Sequence, residues 1–177
     1  MQPTNRGISL SALAARLSDL LNALVERLVA AIMLALVVDV WIGVVDRYLL
    51  HWQLPWPEVL ARYLMIWAVL LAISCGISRR EHIGLSLLLD RLPPSLRRSA
   101  LMAMDLVALA LFVYVFWFGL GFALEGSKRQ ALIFGLSLGP AYAAIPVSAG
   151  LASLQLILVL LRDLGGQRLI GQAEEAV

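Results

Sequence analysis

Residues 28–50 read LVAAIMLALVVDVWIGVVDRYLL, an apolar run broken only by Asp39, Asp46 and Arg47. Coiled as a helix at about 1.5 Å per residue, it reaches roughly 34 Å, enough to cross about 30 Å of hydrocarbon. Three further stretches pass the same length test: Glu58–Ser78, Ala100–Leu124 and Pro140–Leu161. Their separators are legible. Pro55 and Pro57 end the first, Arg79-Arg80 and Pro93-Pro94 end the second, and Glu125-Gly126-Ser127-Lys128-Arg129 ends the third. The expectation is an all-α integral membrane protein with four transmembrane helices.

Composition says the same independently. Of 177 residues, 61% are hydrophobic and 15% charged, with a mean hydropathy of +0.86. A soluble fold of this size could not cover so much apolar surface. Fourteen Lys and Arg against twelve Asp and Glu leave a formal charge of only +2, so nucleic acid is not an expected partner. A single cysteine, Cys75, allows neither an internal disulfide nor a cysteine zinc site.

Basic residues orient the spans. The N-terminal flank holds Arg6, Arg16 and Arg27. Between spans two and three lie Arg79, Arg80, Arg91, Arg97 and Arg98, and the tail adds Arg162 and Arg168. The other side has Arg47, Lys128 and Arg129. Both termini are therefore expected in the cytoplasm, with residues 1–27 as an N-terminal segment, 28–162 as the membrane domain and 163–177 as a tail.

Within the first segment, Leu10, Leu13, Ala14, Leu17, Leu20, Leu21, Leu24 and Leu28 recur at three- and four-residue steps. Ser9–Arg27 thus reads as an amphipathic helix along the inner membrane surface or against a partner. A plain helical extension of span one is the other reading. The long charged approach to the first span, with no cleavage-type break, is unlike a secretory signal. A shorter apolar segment, Ile83–Leu92, is expected to lie at the same interface.

Charges inside a membrane are functional candidates. Asp39 lies at the middle of span one, where it is either a proton or cation site or a hydrogen-bonding group of the bundle. Asp46 and Arg62 sit at matching depths below the outer ends of their spans, and Glu58 is four residues from Arg62 on one helix face. A polar cluster of Asp46, Arg47, Glu58 and Arg62 is expected to join spans one and two. Asp105, near the inner end of span three, needs only a snorkelling or interface role.

Packing signals are denser than chemical ones. Ala68, Ala72 and Gly76 form a small-residue row on span two, and span four opens with many small residues around an internal Pro146. Trp56, Trp67, Ala68, Ala72, Gly76 and Pro146 are the candidate subunit interface. No nucleophile–histidine–carboxylate order, phosphate loop or HExxH motif occurs. His51 and His82 fall on opposite sides of the membrane, so they cannot share one iron. No catalysis, cofactor or metal is expected. Arg79, Arg80 and His82 form an inner-face cluster able to grip a phosphate or lipid head group, which keeps a lipid-binding protein or membrane enzyme as one alternative. A self-sufficient homodimeric carrier coupled through Asp39 is another.

Several short motifs then fall into a known order: Arg47-Tyr48, Pro55-Trp56-Pro57-Glu58, Ala61-Arg62-Tyr63, Trp67, Gly76, Arg79-Arg80, His82-Ile83, Leu92-Pro93, Leu136-Ser137-Leu138, Tyr142, Ile145 and Pro146. Over residues 28–162 the chain resembles the small membrane subunit (DctQ-like) of tripartite ATP-independent periplasmic (TRAP) transporters. One position departs, since Val59 stands where a second acidic residue often follows the tryptophan. The resemblance implies a non-catalytic, inner-membrane subunit that scaffolds a large elevator-type subunit. It further implies docking of a periplasmic substrate-binding protein and sodium-driven import of carboxylate-bearing organic anions. Trp52, Lys128 and Arg129 become the candidate docking residues, with membrane lipids as the remaining partners. The small four-span subunit of tripartite tricarboxylate transporters is the related alternative.

Overall fold

Proline, glycine and a buried aspartate set the ends of the helices. In the computed structural model, which describes residues 10–79, 93–130 and 137–164, four helices are long and apolar enough to cross a membrane. α1 runs Leu10–Val45 and passes without a break into a π-helical segment, Asp46–Leu50. α2 is Trp56–Arg79, α3 Pro94–Ser127 and α4 Gly139–Leu164. Pro57 and Pro94 sit in first turns, where no intrahelical amide bond is lost. Among the described residues the only strand-like pairing is one antiparallel bridge, Gln130 to Ser137, which closes the α3–α4 connection.

The helix expected over Ser9–Arg27 is not a separate element. It is the first half of α1, continuous with span one, as the extension reading has it. No proline or glycine lies between Leu10 and Ile42 to break it. Ile83–Leu92, the first nine residues and the tail beyond Leu164 lie outside the described residues.

α4 is the core of the bundle. Half of its most apolar stretch is buried, against 6% for α1 and α3. It packs against all three other helices; α1 also packs on α2, while α3 rests chiefly on α4. Much of the core is alanine: Ala68, Ala144, Ala149 and Ala152 lie beside Val25, Leu71, Leu156 and Val159. Small side chains bring helix axes close, which is how helices gain packing energy where lipid removes the hydrophobic driving force between them.

Three glycine contacts fix α3 on α4. Gly119 faces Ile145 and Pro146, and Gly150 faces Phe116. At Gly126 the Tyr142 ring lies so close that a Cβ would sit 1.7 Å from Cδ2. Tyr142 in turn tilts against Phe122, ring centres 4.6 Å apart. Pro146, inside α4, removes one backbone hydrogen bond, and it is buried against α3 rather than left toward lipid.

Candidate functional site

The turn between α1 and α2 is built around Asp46. Its carboxylate is buried and accepts the backbone N–H of Trp52 at 3.0 Å and of Leu54 at 2.8 Å, one on each oxygen. The Asp46 carbonyl accepts the His51 N–H at 2.7 Å, five residues on, which is the π-type spacing. His51 and Gln53 both adopt positive φ, at 55° and 56°. Non-glycine residues rarely hold that conformation, so the turn depends on the carboxylate that ties its amides.

This arrangement separates the expected outer cluster into two parts. Arg62 pairs with Glu58 one helical turn earlier on α2, and both side chains are largely solvent-exposed. Among the described residues no ion pair joins Asp46 to Arg62. Depth matching places both groups at the same end of the helix pair. The buried aspartate, however, is taken up by its own turn, whose amides have no helix to satisfy them. Arg47 is exposed beside it. Behind the turn, Val38, Trp41, Ile42, Val45, Leu50, Trp52 and Leu54 line an open apolar crevice of ≈ 460 Å³, with Asp46 on its wall.

Other predicted residues divide between internal and outward roles. Trp67 donates its indole N–H to the Pro140 carbonyl at 3.0 Å, fastening α2 to the start of α4. Ala68 and Pro146 are buried within the chain, whereas Ala72 is exposed and nothing lies within 4 Å of a Cβ placed on Gly76. The outward part of that small-residue row is therefore open. Trp56 is half-buried and Trp52 exposed. Lys128 pairs with Glu125 at 3.1 Å, and Arg129 is exposed with its backbone held in the loop by Gly126 and Leu138. Asp39 is 3% exposed, and neither oxygen has a hydrogen-bond partner among the described residues.

At the opposite end, Arg79 reaches Glu26 of α1, and Asn22 donates to the same carboxylate at 2.9 Å. Arg80 and His82 lie outside the described residues. Deeper in, Gln155 of α4 donates to the Ser18 hydroxyl of α1 at 2.7 Å, both residues fully buried. These inter-helix bonds have no motif of their own. The one available signal is the spacing of Ser11, Ser18 and Val25, a seven-residue seam of mostly small residues along α1.

Four apolar helices, a core made of alanine seams and polar groups spent on fastening helices define a multi-pass membrane protein. Residues 36–166 match the DctQ family, described as "Tripartite ATP-independent periplasmic transporters, DctQ component". The chain belongs to that family: it is a TRAP transporter small permease component, and not an enzyme. Curated relatives agree. The isethionate TRAP transporter permease protein DctMQ of Oleidesulfovibrio alaskensis is 30% identical over 129 residues, 69% of this chain and 19% of that protein. The sialic acid TRAP transporter small permease protein SiaQ of Vibrio cholerae is 24% identical over 68% of this chain and 70% of its own length. The sialic acid TRAP transporter permease protein SiaT of Haemophilus influenzae is 27% identical over 73% of this chain and 21% of its own. The chain thus spans about a fifth of the length of DctMQ and SiaT, but over two thirds of SiaQ.

Proposed function

We propose that this subunit is the fixed scaffold of a sodium-driven importer of carboxylate-bearing organic anions, seated in the inner membrane with both termini cytoplasmic. It pairs there with a large permease subunit that carries the substrate, and it helps dock a periplasmic binding protein. The supporting observation is how little of its apolar surface the chain covers by itself. On α3, Val107, Tyr114 and Trp117 are exposed, and on α2 the row continues outward through Ala72 and Gly76. Faces of this kind are completed by lipid or by another helical subunit. Two relatives named as TRAP transporter permease proteins are about five times the length matched here, which suits a small component joined to a larger one.

Affinity purification in mild detergent from the native host tests the pairing. Recovery of a larger polytopic protein in about equal amount supports it; a stable oligomer of this chain alone overturns it. Charge reversal at Lys128 and Arg129 tests the docking role. Transport should fall while assembly is unchanged, and undiminished transport would remove those residues from the docking surface.

A further inference from the structure

Between Val25 and Asp46 the only fully buried residue is one that ordinarily carries a charge: Asp39, 3% exposed. It lies on the inward seam of α1 with Ile32, Leu36, Gly43 and Asp46, at alternating four- and three-residue steps. α2 closes over it. Gly43, one turn on, faces the Pro57 side chain. One turn further along α2, the backbone N–H of Ala61 is turned toward Asp39 without reaching a hydrogen bond.

Asp39 and Asp46 form an internal comparison, two turns apart on one seam of one helix. Asp46 has an amide donor on each carboxylate oxygen, a setting that holds a charge. Neither oxygen of Asp39 has a partner among the described residues. The groups that could neutralise it lie elsewhere. On α1, Asp46 is about 10 Å along the axis and of the same sign, and Arg47 beside it is exposed. On α2, Arg62 is exposed and paired with Glu58. The Tyr63 phenol is about 200° round α2 from Ala61, and Cys75 is about 21 Å further along that helix. On α4, Tyr142 is turned to Gly126 of α3, and the first charge is Arg162. α3 has no charge between Asp105 and Glu125. Among the described residues no ion pair reaches Asp39. A carboxylate enclosed in this way loses its hydration with nothing in return, and a proton removes the charge at far lower cost.

We infer that Asp39 is a resident proton site, a neutral carboxylic acid sealed in the α1–α2 seam while Asp46 on the same seam stays charged. The described seam holds no second acid or base to which the proton could pass, so the site keeps a proton rather than relaying one. A metal cation fits less well. Hard cations take several oxygen ligands, and the described side chains of the seam offer one carboxyl at this level.

The test is carbon-13 nuclear magnetic resonance of the full chain, together with any large subunit that co-purifies, in phosphatidylcholine–phosphatidylglycerol vesicles. The label is on the aspartate carboxyl carbon. Loss of one signal in Asp39→Asn assigns it. Asp39→Glu, which removes the label and keeps an acid, makes the same assignment should the first variant fail to fold. An ordinary aspartate is ionised throughout about pH 6 to 8. The expected result is an Asp39 signal at the neutral-acid position across that range, unmoved when sodium replaces potassium. The Asp46 signal, assigned through Asp46→Asn, should stand at the carboxylate position. An Asp39 signal at the carboxylate position would overturn the proposal. A shift that depends on sodium would overturn it in favour of a cation site.

Discussion

Asp46 decides the α1–α2 turn at the scale of one side chain. Replacing it with alanine leaves the Trp52 and Leu54 amides without their acceptor and two positive-φ residues without restraint. Hydrogen bonds to a charged group contribute about 1.5–3 kcal/mol each, so Asp46→Ala, which removes two, should cost roughly 3–6 kcal/mol, and Asp46→Asn, which keeps one acceptor, less. Thermal unfolding in detergent reads the difference. Gly126 is the second such residue. Gly126→Ala puts a methyl inside the Tyr142 ring and should cost at least about 1–3 kcal/mol. Tyr142→Ala in the same chain should recover part of that loss, and the departure from additivity in a double-mutant cycle measures the contact. Little of this detail can be read from sequence. A buried aspartate at a helix end is visible as a charge at a given depth, but whether it meets an arginine or its own turn depends on a backbone path of five residues. Gly126 likewise appears only as part of a polar break, because the ring that fills it is sixteen residues away.

Element boundaries were far more legible, and for a simple reason: the bilayer imposes a length, and proline and charge mark where it ends. The expected spans at Glu58–Ser78 and Pro140–Leu161 fall within three residues of α2 and α4 at each end. α1 and α3 run longer because hydropathy detects the apolar part of a helix and not the polar turns that continue it. The pairing of α1 with α4 is barely legible, since beyond the Ser11, Ser18 and Val25 seam its polar tie joins Ser18 to Gln155, residues whose composition points equally to a surface. Ser18→Ala should destabilise the chain by about 1 kcal/mol, in line with inter-helix hydrogen bonds in membranes. Ser18→Ala combined with Gln155→Leu should recover most of it, because both polar groups are then gone. Urea or sodium dodecyl sulfate titration followed by circular dichroism measures both. Trp67→Phe, which removes the bond to Pro140 and keeps the ring, should cost about 0.5–1.5 kcal/mol in the same assay.

For the whole molecule, the balance of inward and outward surface governs behaviour. A bundle with one well-buried helix and two nearly uncovered ones leaves most of its apolar surface to lipid or to another subunit. A partner that binds only the folded chain raises its stability by mass action. Co-expression with the large subunit should therefore raise the melting temperature of this chain, and substitution of Ala72 or Gly76 by a bulky residue should abolish that gain without lowering the melting temperature of the chain alone. Differential scanning fluorimetry of the two preparations checks both statements.

The reliance of α3 on α4 also bears on how the chain is made. Helices leave the ribosome in order, and the contact of α1 with α2 needs no later helix. α3 emerges next, with a glycine-lined face whose match, from Tyr142 to Gly150, has not yet been synthesised. Until α4 arrives, that face has no helix of this chain to pack on. Of the four helices α4 is thus the keystone, because its insertion supplies the surface on which α3 packs.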